Sequence, residues 1–286
     1  MASLSSVARV AYENDVQHAF QSSGSDLHTT VRVKDAPQPK VYNFRKFGSL
    51  DMVPRGAYGS MLNLLSGDHS NVPCTASPFV LPVGTDEFEQ AETGGEAPME
   101  QSESALAIGY AMARQRDYSV IAALEASTPT LTVTCAAGLT VAKLLEGLIP
   151  FDKYEMRARS GVITGDGRLH MAISEVEHNN LLADAKTEDI DTSTFKSLAD
   201  GKMQDFAGYS FILIGTGRGT KGLVGSAPRR CYAWVKSAIG QAVTLAPRVK
   251  MGYELLYTSD VVVGQLFVGS VAIDELGIVQ FDVTQA

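Results

Sequence analysis

The sequence predicts an α+β fold, in which helices and strands do not alternate regularly. The first observation is the order of the hydrophobic patterns, which runs from a short helix to extended strands, then to one long helix and a mixed region. The second is the absence of a strand–helix–strand cadence and of any internal repeat. The third is size, because 286 residues that are 45% hydrophobic can bury one large or two medium cores.

The first third of the chain combines a short helix with an extended region. The apolar spacing in residues 7–20 predicts an amphipathic helix. Alternating side chains predict strands at 30–34 and 41–47, which a proline-containing turn separates. Residues 30–84 as a whole carry little hydrophobic mass, so we expect this region to lie against another surface instead of folding on its own.

A long helix and several shorter elements make up the rest of the chain. The long helix is predicted from about 99 to 126, with Pro129 as its stop signal. The shorter elements are a helix at 139–148 closed by Pro150, a helix at 175–185, strands at 168–173, 210–214, 249–257 and 277–283, a loop at 184–201 and a helix-like segment at 259–274.

Charge is unevenly distributed along an acidic chain. The formal net charge is -8 at pH 7, which disfavours a dedicated DNA-binding protein because phosphate binding depends on clustered cations. Residues 30–60 are nevertheless mainly basic, whereas residues 86–103 carry acidic side chains and no basic one. Two solvated faces are the simplest interpretation, and contact between the two segments in an assembly is the alternative.

Membrane, secretion and redox signals are weak. The longest uncharged apolar run, Val261 to Ile273, is shorter than the roughly 20 residues that a membrane span needs. The N-terminal residues lack the pattern of a secretory signal, so we expect no membrane association. The cysteines Cys74, Cys135 and Cys231 form no CxxC pair and are expected to be reduced and buried.

The best enzyme-like motif is a glycine pattern without its functional context. Gly217, Gly219 and Gly222 match GxGxxG after a strand, as in dinucleotide sites. Such a site needs a helix after the last glycine and an acidic residue about 20 positions later. A proline interrupts this region, and no acidic residue occurs between Asp205 and Glu254.

Metal and nucleophile signals are also incomplete. Glu175 and His178 could share a helix face, but two groups do not complete a zinc site. No serine lies in a GxSxG motif. We therefore predict no catalytic, cofactor-binding or metal-binding residue.

Several segments occur in an order that is informative as a whole. They are AYENDVQHAFQ, SDLHTTVRVKD, SALAIGYAMARQRDYSVIAALEA, LTVAKLLEGL, RLHMAISEVEHNNLLAD, YAWVKSAIGQAV and VAIDELGIVQFDV. In order and spacing, over nearly the whole chain, they resemble the major capsid proteins of tailed bacteriophages, which have the HK97-type fold. The resemblance implies an N-arm at 1–29, an extended β-hairpin called the E-loop at 30–84, a peripheral (P) domain with a spine helix at 85–129, an axial (A) domain over most of 130–248 and a return to the P domain at 249–286.

On this resemblance we expect a structural major capsid protein, without catalysis or cofactor. Copies would self-assemble in the host cytoplasm, as hexamers and pentamers, into the icosahedral shell of a virion around double-stranded DNA, without reading its sequence. Expected partners are a portal protein, an optional decoration protein and a separate scaffolding protein, because only about 30 residues precede the arm. The alternatives are an encapsulin-like compartment for protein cargo and a nucleotide-dependent oxidoreductase that uses the glycine motif.

The extended arm is the expected site of contact between subunits. Its apolar side chains have no evident local core in the sequence, so a neighbouring subunit would supply one. The predicted contacts are the arm residues Arg32, Lys34, Phe44, Arg45, Lys46, Phe47, Met52, Val53 and Arg55 and the acidic residues Glu87, Glu89 and Glu92.

Overall fold

The computed structural model of the chain describes residues 24–35, 39–48, 52, 69–86, 97–156, 168–187, 205–215, 223, 228–256 and 258–284. The helices in this part of the chain are α1 (Ala97–Glu125), α2 (Val141–Lys153) and α3 (Glu175–Thr187). The strands are β1 (Arg32–Asp35), β2 (Val41–Phe47), β3 (His69–Thr75), β4 (Ser77–Asp86), β5 (Leu131–Cys135), β6 (Leu169–Ile173), β7 (Asp205–Phe206), β8 (Tyr209–Leu213), β9 (Arg229–Val235), β10 (Ile239–Glu254), β11 (Ser259–Ala272) and β12 (Ile278–Val283). The combination confirms the expected α+β fold.

A six-stranded sheet, in the order β5-β12-β9-β6-β8-β7, contains the larger core. On one face, Phe151 of α2 and Leu181 of α3 belong to its buried apolar cluster. On the other face, Leu124 near the end of α1 packs with Trp234 of β9. Because both faces are covered, all five residues of β6 are buried.

A four-stranded sheet, in the order β1-β10-β11-β4, is covered by α1 on one face. Ile108 and Met112 of the helix pack against Val262 and Leu266 of β11. Gly264 permits this close approach, because a Cβ there would collide with the Ile108 side chain. The long helix therefore joins the two sheets, with its first half on one and its end on the other.

The hairpin of β2 and β3 lies on the opposite face of the four-stranded sheet. The two strands are antiparallel, with Phe47 opposite His69. Phe44 touches the sheet at Gly240, where a Cβ would lie 2.7 Å from its ring. The adjacent Gln241 bonds to α1 instead, so strand alternation places Gly240 and the hairpin on the face away from α1.

The segment 259–274 is a strand, and the expectation of a helix there is wrong. β11 pairs with β10 on one side and with β4 on the other. Its sequence is rich in valine, which packs well on a pleated surface. Val262, Leu266 and Val268 all face α1, a period of two that resembles helical spacing when the intervening residues are also apolar.

Helix α2 continues to Lys153, so the expected end at Pro150 is also wrong. Proline removes the N–H that would bond to the carbonyl of Glu146, and this weakens the helix without ending it. The last turn is closed by the Tyr154 N–H, which donates to the Pro150 carbonyl at 3.1 Å. Phe151 is fully buried in the core of the six-stranded sheet, and its burial offsets the lost hydrogen bond.

The remaining elements divide into confirmed, longer and unpredicted ones. α1, α3, β1, β2, β6, β8 and β12 confirm the expected elements, whereas β10 begins ten residues earlier than the expected strand at 249. The sequence patterns do not predict β5 or β9. The helix at 7–20 and most of the loop at 184–201 lie outside the described residues. Within 30–84, β1 and β4 belong to the four-stranded sheet and only β2 and β3 form the hairpin, so the domain boundaries stay predictions.

Candidate assembly surfaces

The hairpin packs on the chain's own sheet through the side of β2 that carries Phe44 and Lys46, hereafter the hairpin root. Phe44 is only 1% exposed and packs with Cys74, Ala242 and Ile273. The guanidinium carbon of Arg32 lies 5.7 Å from the centroid of the Phe44 ring, within cation–π range. The inference that Phe44 lacks a local core is therefore wrong. The alternation of side chains in β2 predicts that one face of the strand is apolar. It does not show which surface that face packs against, so the sequence does not predict this contact.

An ion pair fixes the same root. Lys46 donates a hydrogen bond from Nζ to Asp274 Oδ1 at 2.8 Å. The same carboxylate oxygen accepts the Leu276 N–H at 3.2 Å and so caps a short 3-10 helix. Both side chains of the pair are about one-third exposed, so solvent weakens the attraction. Lys46 thus binds its own subunit and orients the hairpin.

The outer side of the hairpin remains open. Phe47 is 56% exposed and contacts His69 edge to face, with ring centroids 4.5 Å apart. Met52 and Arg45 are also exposed, and Lys34 is half-buried. The other predicted contacts, Val53, Arg55, Glu87, Glu89 and Glu92, lie outside the described residues. The intersubunit role of all these residues stays a prediction.

Two further exposed apolar surfaces have no counterpart among the contacts predicted from the sequence. Leu255 and Leu256, in the turn between β10 and β11, are 82% and 79% exposed. Leu145 and Ile149 lie one turn apart on the solvent side of α2 and are also exposed. Contiguous exposed apolar side chains commonly mark interaction sites. A leucine pair next to a turn was the available signal, but the expected helix at 259–274 obscured that turn.

A buried carboxylate orients the chain where it enters β1. Asp117 of α1 is buried and accepts hydrogen bonds from Ser25 Oγ at 2.6 Å and from the Leu27 N–H at 3.1 Å. The side chain of Leu27 is itself fully buried. These contacts attach the segment before β1 to the long helix.

A second polar group lies beside Asp117. Arg116 Nη2 donates to His28 Nε2 at 2.6 Å, and His28 Nδ1 donates to Gln241 Oε1 at 2.7 Å. Burial lowers the pKa of Arg116, while the charges of Asp35 and Asp117 oppose that shift. The network joins α1, β1 and β10, so the start of the arm is held from both the helix and the sheet.

The buried charges of the six-stranded sheet are paired within the chain. Glu177 of α3 is fully buried and accepts hydrogen bonds from Arg229 Nε and Ser174 Oγ. The other polar candidates on this helix, Glu175 and His178, are partly exposed. In the parts of the chain that the structure describes, no group of three or more metal-ligating side chains is brought together. Gly217, Gly219 and Gly222 lie outside those parts.

The cysteines are buried, as expected, and are not bonded to one another. Burial raises the pKa of the Cys135 thiol to about 11 and also raises the pKa of Cys231. Thiols of this kind stay protonated at neutral pH and are poor nucleophiles. Of the helices that the structure describes, none has both the length and the hydropathy of a membrane span.

The outer side of the hairpin and the β10–β11 turn expose large apolar side chains, as is common for structural subunits of larger assemblies. A family model described as phage capsid protein matches residues 4–285. No curated protein sequence matches the chain significantly. Among solved structures, the capsid of cyanophage P-SCSP1u is 14% identical, with a TM-score of 0.70 over 96% of this chain and 93% of that one.

Two other phage structures are similar over nearly their full length. The head structure of Helicobacter pylori bacteriophage KHP40 is 12% identical, with a TM-score of 0.71 over 98% of this chain and 97% of that one. The structure of Mycobacterium phage Che8 is 12% identical, with a TM-score of 0.70 over 95% of each chain. At these identities the likeness shows the fold. The chain belongs to the phage capsid protein family, and copies of it form the capsid of a virion.

Proposed function

We propose that this chain forms the hexamers and pentamers of an icosahedral head shell that encloses double-stranded DNA. The observation that carries the proposal is the division of its surface. The hairpin root is closed on its own subunit by Phe44, whereas the outer side of the hairpin and the β10–β11 turn expose Phe47, Leu255 and Leu256. These open surfaces are available to neighbouring copies.

The charge of the chain supports a container for DNA better than a DNA-binding protein. A net charge of -8 limits the release of counterions from phosphate that drives non-specific binding. A wall of this charge leaves packaged DNA free to enter and leave. The role that we propose involves no catalysis and no cofactor, and the protonated, buried thiols are consistent with that role.

The proposed partners follow from the same role. A portal protein would occupy one vertex, a separate scaffolding protein would guide assembly in the host cytoplasm, and a decoration protein is an optional addition.

Electron microscopy of the purified protein, expressed alone and with the scaffolding protein of its phage, tests the proposal. We expect shells of uniform size, and we expect particles from infected cells to contain nuclease-resistant DNA. Failure to form shells in either condition would contradict the assembly role. Shells that contain a host protein and no DNA would instead support a cargo compartment.

A further inference from the structure

The face of the four-stranded sheet that points away from α1 carries a row of basic side chains. On β1, Arg32 lies opposite Gly240 and Lys34 opposite Ala242. Gly240 and Ala242 both contact Phe44 of the hairpin, so Arg32 and Lys34 lie on the hairpin side of the sheet.

Two more basic residues lie on the same face farther along β10. Arg248 is opposite Gln265 and donates to its side-chain oxygen at 3.0 Å, and Lys250 is opposite Val263. Gly264, between those two partners, faces α1, so its neighbours face the other way. Arg248 and Lys250 are exposed.

On β1 and β10, few acidic side chains share this face with the basic ones. Asp35 lies next to Lys34, but alternation turns it to the α1 side, where its carboxylate is 3.9 Å from Arg116 Nη2. Lys46 of the hairpin already has a partner in Asp274. Along β10, the acidic residue on the basic face is Glu254, at the last position of the strand. Arg32, Lys34, Arg248 and Lys250 are hereafter called the basic face.

We propose that the basic face binds the acidic segment 87–96 of a neighbouring copy of this chain. That segment supplies Glu87, Glu89, Glu92 and Glu96 and has no basic residue. The proposal rests on the proposed shell, because it needs a second copy in contact. Of the basic residues predicted from the sequence, the proposal keeps Arg32 and Lys34 and leaves out Arg45, Lys46 and Arg55. It adds Arg248 and Lys250, which the sequence pattern does not indicate.

The dimensions of the two surfaces are compatible. Ala242, opposite Lys34, and Arg248 are separated by six residues of β10, roughly 20 Å of strand. An extended run from Glu87 to Glu92 covers about 17 Å, and the run to Glu96 covers about 30 Å. One acidic segment can therefore reach both pairs of basic residues.

Attachment to the segment's own sheet is less favourable. The segment follows β4 and precedes α1, and α1 packs on the face opposite to the basic face. To bind the basic face of its own copy, the segment would have to return around the edge of the sheet before α1 begins. Binding to a second copy imposes no such requirement.

Charge reversal tests the proposal. The wild-type protein is assembled first, so that a failure to form shells at all is distinguished from a failure of the proposed contact. In Arg248→Glu/Lys250→Glu we expect a folded monomer and at least a tenfold lower shell yield. Glu87→Lys/Glu89→Lys/Glu92→Lys should give the same loss, and the combined variant should recover most of the yield. Arg168→Glu, which reverses an exposed charge just before β6, is the matched control and should assemble normally.

Four outcomes would overturn the proposal. The first is normal shells from the Arg248→Glu/Lys250→Glu variant, and the second is no recovery in the combined variant. The third is a lower Tm of the unassembled Arg248→Glu/Lys250→Glu protein that the acidic reversal restores, which would place the contact within one chain. The fourth is normal shells with less packaged DNA, which would assign the basic face to phosphate.

Discussion

The two sheets of this chain differ in how fully one subunit covers them. In the six-stranded sheet, β6 is buried at every position and β9 at six of its seven residues. In the four-stranded sheet, β10 is buried from Ile239 to Val243 and largely exposed from 246 onwards. We therefore propose that the first sheet mainly stabilises the subunit and that the second provides surfaces for its neighbours.

The hairpin lies at the boundary between these two roles. Its root is part of the subunit core, because Phe44 is buried there. Its outer side is open, because Phe47, three residues later on the same strand, is more than half exposed. Variants that separate the two sheets, or the two sides of the hairpin, should therefore separate folding from assembly.

The largest expected effect is in the six-stranded sheet. Arg229→Met leaves Glu177 buried without its cation and should lower the free energy of unfolding by about 3–5 kcal/mol. Urea unfolding of the unassembled protein measures this loss. The double variant Arg229→Met/Glu177→Leu removes both charges and should recover most of the stability. If the single variant is as stable as the wild type, the pair does not stabilise the subunit.

The next effect separates the two sides of the hairpin. Phe44→Ala should cost about 3 kcal/mol of folding stability, because it removes a buried ring from the hairpin root. Phe47→Ala is the matched control and should change folding by about 0.5 kcal/mol or less while it reduces shell yield. Thermal unfolding and electron microscopy give the two readouts. A destabilised Phe47→Ala monomer would contradict the proposal that Phe44 serves folding and Phe47 serves assembly.

Alkaline pH should destabilise the covered sheet. The folded state raises the pKa of Cys135 to about 11 from an ordinary value of 9.0, so it favours the neutral thiol. The contribution is fully present below about pH 9 and is lost as pH rises towards 11, by on the order of 2 kcal/mol. Unfolding in urea from pH 8 to 11 measures it. Cys135→Ala should make the loss of stability smaller but not abolish it, because the buried Cys231 thiol also has a raised pKa. A slope identical to that of the wild type would contradict the role of Cys135.

The smallest effect concerns the ion pair at the hairpin root. Lys46→Gln should lower the free energy of unfolding by about 0.2–1 kcal/mol, because both partners are partly exposed. Asp274→Ala should cost more, since it also removes the cap on the Leu276 N–H. Equal losses in the two variants would show that the cap contributes nothing.

The sequence predicts individual helices and strands better than it predicts the surfaces against which they pack. The proline stop after α1 and the alternation of β2 depend on residues close in the chain, and both are confirmed. The partner of Phe44 could not be predicted, because Gly240 is almost 200 residues away and its smallness has no local signature. The sequence of β11 predicts a helix because both faces of the strand are apolar, and this conceals its period of two.

The basic face shows the same limit. Arg32 and Lys34 stand in a visibly basic segment, whereas Arg248 and Lys250 are isolated in the sequence. Only the pairing of β10 with β1 on one side and with β11 on the other brings the four side chains to one face. Conversely, Lys46 looks available in the sequence, but Asp274 binds it from 228 residues away.

Zero-length cross-linking of mixed-isotope shells tests most directly whether the open sheet contacts its neighbours. Shells are assembled from equal amounts of unlabelled and nitrogen-15-labelled subunits, and a carbodiimide then joins lysine amines to nearby carboxylates. We expect amide links from Lys250 to Glu87, Glu89 or Glu92, with mixed-isotope peptide pairs as frequent as like pairs. Their absence, or links found only between peptides of the same label, would contradict it.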